Sequence, residues 1–203
     1  MVLKEHGGPL TDKQKKMLQE AERSCERISA VVAELSELGK LESHELAVSR
    51  QEIDLVALLR DVASDMHEGD DRGVRLEIRA PNRSVNVTGD RARLSAAVTT
   101  LLHAALRERG EPGVIVAECS VVDGSPDHWA VLAVGAEDTL PSLIQAGFST
   151  PPAFDEWRGG LGLALPVARR VIEALGGRMW SAPGDRPRAG SALKLPVRTE
   201  GHT

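Results

Sequence analysis

Six residues with apolar side chains, Leu18, Ala21, Cys25, Ile28, Val32 and Leu35, recur at alternating spacings of three and four, and charged residues fill the positions between them. That rhythm predicts a long helix over residues 11–41 with a narrow, coiled-coil-like seam. Thr11 suits the N-cap, and Gly7, Gly8 and Pro9 before it make a turn out of a short helical stub at 1–6. A seam this narrow does not fold alone, yet it is too apolar to stay in water, so it calls for a partner.

Beyond a connector at 43–54, Leu55, Leu58, Leu59, Val62 and Met66 mark one face of a second amphipathic helix. Val74, Leu76 and Ile78 then alternate with polar residues, as do Val85 and Val87, so two strands flank a turn at Pro81 and Asn82. Helix returns over 90–109 through Leu94, Ala97, Val98, Leu101 and Ala105. Strands at 114–122 and 129–134 are joined by Asp123, Gly124, Ser125 and Pro126, which have hairpin chemistry. The stretch 135–160, with Pro151 and Pro152 inside it, reads as loop. A last helix over 163–175 tolerates Pro166 in its first turn and stops at Gly176 and Gly177, before closing strands near 178–182 and 191–197. The predicted fold is α/β: a two-layer sandwich of a mixed sheet with helices on one face, preceded by the long helix. The expected division is 1–54 for the helical part and its linker and 55–203 for the sandwich.

Length and charge narrow the function classes. At 203 residues the chain holds one ordinary core with an attached element. A net charge of -5 argues against a nucleic-acid binder, since Lys13, Lys15 and Lys16 are offset by Glu20 and Glu22. Cys25 and Cys119 show no metal-ligand spacing and are expected to be reduced core thiols of a cytoplasmic protein. Neither a signal-like segment nor a run long enough to span a bilayer is read from the sequence, so no membrane contact by this chain is expected.

Four segments carry candidate chemistry. Gly159, Gly160 and Gly162 lead into Leu163-Ala164-Leu165-Pro166, and a glycine-rich turn opening a helix lets backbone N–H groups approach an anion at the positive end of the dipole. A plain tight turn explains the same glycines without any ligand. Together with Glu173-Ala174-Leu175-Gly176-Gly177-Arg178-Met179-Trp180, this stretch resembles the second glycine box of sensor histidine kinases and the strand after it. Gly190-Ser191-Ala192-Leu193-Lys194-Leu195-Pro196 is similar to the family's closing segment. Asp90-Arg91-Ala92-Arg93-Leu94 with Leu101-Leu102-His103-Ala104-Ala105-Leu106 is similar to the helix bearing its asparagine box, and Leu38-Gly39-Lys40-Leu41-Glu42 with Ile53-Asp54-Leu55 to the end of its dimerisation domain. The resemblance implies a Bergerat-type ATPase fold behind the second helix of a dimerisation hairpin.

It also implies departures. The family's Mg²⁺-binding asparagine and its neighbour one turn earlier fall on Ala104 and Thr100, and alanine offers no oxygen to a hard cation. The adenine-binding aspartate of the first glycine box falls on Gly135, and the glycines of that box on Glu137 and Thr139, with the carboxylates of Glu137 and Asp138 expected to repel a triphosphate. Ser43-His44-Glu45-Leu46 copies the start of a phosphoacceptor motif, but Ala47, Val48 and Ser49 follow and the segment lies after the helix that should carry it. His44 is therefore read as a linker residue and His103 as a helix histidine.

The expectation is a degenerate signalling module without cofactor, forming a homodimer through Leu18, Cys25, Ile28, Val32 and Leu35 and engaging a response regulator or partner kinase. A histidine phosphotransferase, or a kinase fragment keeping weak ATP and Mg²⁺ binding through Gly159, Gly160 and Gly162, are the alternatives.

Overall fold

The computed structural model describes residues 11–42, 50–123, 128–149, 151–183 and 189–197. The stub and turn at 1–9, His44 with its neighbours, and the 124–127 turn lie outside the described residues.

Helix α1 (Asp12–Glu42) follows the predicted stretch. Its start is a reciprocal cap: Thr11 Oγ1 accepts from the Gln14 N–H at 3.3 Å, and Gln14 Oε1 accepts from the Thr11 N–H at 2.9 Å. Ile28 and Val32 are 65% and 60% exposed, Met17 joins them at 61%, and Leu18 is half-buried. Cys25 is exposed, which corrects the expectation of a core thiol. A cysteine on a seam is buried only by what covers the seam. Cys119 is buried as expected; desolvation, then the charges of Asp54 and Glu118, push its thiol up to about 12, which keeps it unreactive.

The end of the predicted connector is a strand. β1 (Gln51–Asp54) pairs antiparallel with β3 (Asn86–Gly89), setting Ile53 opposite Val87. Asp54 then caps α2 (Leu55–Ser64): its Oδ1 accepts from the N–H groups of Val56 at 2.9 Å, Ala57 at 3.4 Å and Val85 at 3.3 Å. Burial pushes this carboxyl up, but hydrogen bonds from Ser84, Val85, Ala57 and Val56 together outweigh it and hold the group below its ordinary value. A depressed folded pKa gives stability present above the ordinary carboxylate range and lost as pH falls through the folded value. Asp54→Ala is expected to cost about 1–2 kcal/mol at neutral pH. In urea melts, the gap between parent and Asp54→Asn is expected to close below about pH 4.

The main sheet is mixed, in the order β2 (Val74–Arg79), β4 (Gly113–Asp123), β5 (His128–Gly135), β7 (Gly190–Pro196), β6 (Arg178–Ser181). β2 and β4 are parallel; the other neighbours are antiparallel, including the predicted β4–β5 pair. The two strands around Pro81 and Asn82 do not pair, because β3 goes to β1 while β2 joins the main sheet.

Alternation along the strands makes two clusters. One face of the sheet sends Ala117, Cys119, Leu132, Val134, Leu193 and Leu195 against α2, α3 (Arg91–Glu108) and α5 (Ala164–Ala174). The other sends Val116, Val131, Ala133 and Ala192 with Trp180 against α4 (Leu140–Ala146). This helix corrects the reading of 135–160 as loop throughout. It has seven residues with Pro141 in its first turn, too few for a period to show.

Asp90 caps α3 through the Arg93 N–H at 3.2 Å. α5 ends where Gly176 and Gly177 predict: Gly177 donates to Ile172 O at 2.9 Å and Gly176 to Glu173 O at 3.0 Å, with Gly176 at φ 78°. α1 lies alongside α5.

Candidate functional site

The site is built from the C-terminal half of α3, the end of β5, and the turn 158–162 that leads into α5. Because i and i+4 stack on one helix face, α3 aligns Thr100, Ala104 and Glu108. Ala104 is fully buried. What buries it is Gly159: a Cβ on that glycine would stand 2.7 Å from Ala104 Cα and 3.1 Å from Ala104 Cβ. Gly159 holds φ 67°, so both its conformation and its closeness require glycine.

One turn along, Glu108 grips the same loop. Its Oε2 accepts from the Arg158 guanidinium and its Oε1 from the Gly159 N–H at 3.2 Å. The Arg158 side chain is 1% exposed and that of Glu108 12%, so the ion pair is out of water. Gly160 and Gly162 keep positive φ, and a Cβ on either would meet nothing within 4 Å. The outer half of the turn is open.

At the end of β5, Gly135 pairs with Gly190 of β7, and the chain passes through Ala136 into a single turn at Glu137–Thr139 and then α4. A Cβ on Gly135 would stand 2.6 Å from Ala189 O and 2.9 Å from Gly190 Cα. Gly135, Ala136 and Ala189 share a cavity of about 140 Å³ with Glu108, Arg109 and Arg158. Sites that take drug-sized ligands run to about 300–1,000 Å³.

Gly159 is brought against Ala104, and Gly135 to the cavity that Glu108 and Arg158 also line. Thr100 lies apart: its hydroxyl donates to Ala96 O at 2.8 Å, and it lines a separate groove between α3 and α5 with Arg93, Ala164 and Val167. Glu137 departs from expectation, because its carboxylate turns to Arg79 on the outer strand at 2.8 Å and is 71% exposed. A charge so engaged adds little repulsion at the glycine turn. Thr139 Oγ1 donates to Asp138 at 3.4 Å, and the residue's carbonyl accepts from Ser142.

His103 is a helix histidine with a partner, Nδ1 lying 3.5 Å from Glu68, which also meets Arg107 at 3.5 Å. Among the described residues no group of three or more His, Cys, Asp or Glu side chains is arranged to hold a metal, and no helix is long and apolar enough to cross a membrane. Sequence reading missed Arg158 and Glu108. Their spacing of fifty positions leaves no local signal, although an arginine beside a glycine box is the kind of residue to pair with a helix carboxylate.

No family model matches the chain. The sensor protein GacS of Pseudomonas syringae pv. syringae is 28% identical over 205 residues, covering 94% of this chain and 22% of its own length. The signal transduction histidine-protein kinase BaeS of Escherichia coli is 26% identical over 176 residues, covering 85% of this chain and 38% of its own. The chain therefore spans well under half of either relative. Among solved structures, the histidine kinase AdeS of Acinetobacter baumannii superposes with a TM-score of 0.61 at 20% identity, covering 95% of this chain and 87% of that one. Full-length ShkA in complex with AMPPNP superposes with a TM-score of 0.69 at 18% identity, covering 97% and 42%. The relatives by sequence are a sensor protein and a signal transduction histidine-protein kinase, and the chain shares the fold of histidine kinases.

Proposed function

We propose that this domain signals without nucleotide: it self-associates through α1 and offers its folded surfaces to a response regulator or to a partner kinase. The observation that carries this reading is Gly159 packed on Ala104. By the resemblance, the side chain at that position is the one that holds Mg²⁺ beneath the phosphates. A buried methyl group supplies no oxygen ligand, and the loop backbone occupies the space a ligand side chain needs. At the base end, Gly135 carries no acceptor and has no room for one beside Ala189 O. ATP with Mg²⁺ does not fit these residues.

The boundary proposed between the helical part and the sandwich falls between 42 and 51, because β1 is paired within the sandwich through β3. Self-association draws support from the exposed Ile28 and Val32 on α1, and Leu35 continues that helix. A second reading, residual binding of a polyphosphate, is favoured only by Gly160 and Gly162, whose open positive-φ backbone lies at the start of α5.

Thermal shift separates the two. A ligand at a hundred times its Kd stabilises a folded protein by about 2.7 kcal/mol. For a chain of this length that is roughly 5–10 °C. With millimolar ATP and Mg²⁺ the expected shift is within measurement error. A reproducible rise of several degrees that inorganic phosphate does not reproduce would overturn the nucleotide-free reading and establish the second one.

A further inference from the structure

We infer that Arg158 and Glu108 form a latch that locks the glycine turn onto α3, so that the docked loop itself closes the site. Three features of the same few residues carry this. Gly159 approaches Ala104 so closely that a Cβ on the glycine cannot be added without displacing the loop. Glu108 engages the turn at two points, the Arg158 guanidinium and the Gly159 N–H. Arg158 is fully buried while its neighbour Trp157 is 66% exposed, so the chain turns its arginine inward at this one position.

The Gly159 N–H is among the backbone donors that would meet an anion, and here a carboxylate of the protein already holds it. Any phosphate reaching the turn must compete with Glu108 for that donor and must lift Gly159 from Ala104. The side chain at Ala104 and the docked loop are therefore one structural state: the smaller the residue on α3, the closer the glycine can come. This deepens the nucleotide-free reading but is tested apart from it, because the measurement uses no nucleotide.

Trypsin reads the latch directly, since cleavage after Arg158 requires its side chain to leave the core and enter the protease. Cleavage after Arg178, exposed at the start of β6, serves as the reference. On the intact chain, cutting at Arg158 is expected to be slow. In Glu108→Ala it is expected to be about ten- to a hundredfold faster, the change in open population that follows loss of charge-assisted hydrogen bonds to a buried group. Gly159→Ala opens the loop by a different route, through the clash with Ala104, and is expected to expose the same bond. Glu108→Gln, which keeps acceptor and shape, is expected to fall between parent and Glu108→Ala. Rapid cutting after Arg158 in the parent would overturn the latch. So would unchanged rates in both opening variants, or equal acceleration at Arg178, since the residues would then hold the whole domain rather than one loop.

Discussion

Restoring an aspartate at Gly135 is expected to destabilise the domain strongly rather than revive a nucleotide site. The Cβ of any residue there would lie 2.6 Å from Ala189 O, and the atoms in the way are backbone of the neighbouring strand, which cannot swing aside as a side chain does. Overpacking of this kind costs about 1–3 kcal/mol. The carboxylate adds several more, because it enters a strand end with all of 131–135 buried and faces a carbonyl rather than a donor. A total of about 4 kcal/mol or more lowers Tm by roughly 10 °C in a chain of this length. Gly135→Ala is expected to lose the steric part alone, so the difference between the two variants isolates the charge. A Gly135→Asp protein that melts with the parent, by circular dichroism, would show that the backbone at Ala189 and Gly190 yields.

Ile28→Asp with Val32→Asp is expected to abolish self-association. Each apolar side chain moved from water into an interface contributes about 1.5–3 kcal/mol. A symmetric pair uses every residue twice, so the double variant removes four such side chains and sets like charges against one another. The loss is about 6 kcal/mol or more, roughly four orders of magnitude in Kd. Sedimentation at tens of micromolar is expected to give dimers for the parent and monomers for the variant. Because these side chains are exposed in the single chain, its melting transition at low concentration is expected to stay put. A parent chain that sediments as a monomer at hundreds of micromolar removes the basis for a dimeric scaffold.

Legibility in the sequence followed period and length. α1, α3 and α5 were readable because each runs for three turns or more with an apolar face, and α5 also carries its own stop at Gly176 and Gly177. β1 was not, because in a four-residue strand whose first two positions are exposed only Ile53 is buried. α4 was hidden by its seven residues and by Pro141. At the site, Ala104, Gly135 and Gly159 could be singled out one by one, since a family pattern fixes positions along the chain. That Gly159 rests on Ala104, or that Glu137 swings out to Arg79, depends on how separate elements pack, and no periodicity encodes it.

The sheet is apolar on both faces, with the candidate site and the α2, α3 and α5 layer on one side and α4 with Trp180 on the other. Trp180 is fixed independently of the site, its indole N–H donating to Leu143 O at 2.7 Å. Two separately dried cores therefore share one partition, and β5 contributes to both. Disorder introduced at the glycine turn can spend itself in the helical layer while the far layer keeps its own packing. Under the proposed nucleotide-free reading, such a division leaves one surface of fixed shape while the opposite side is free to diverge.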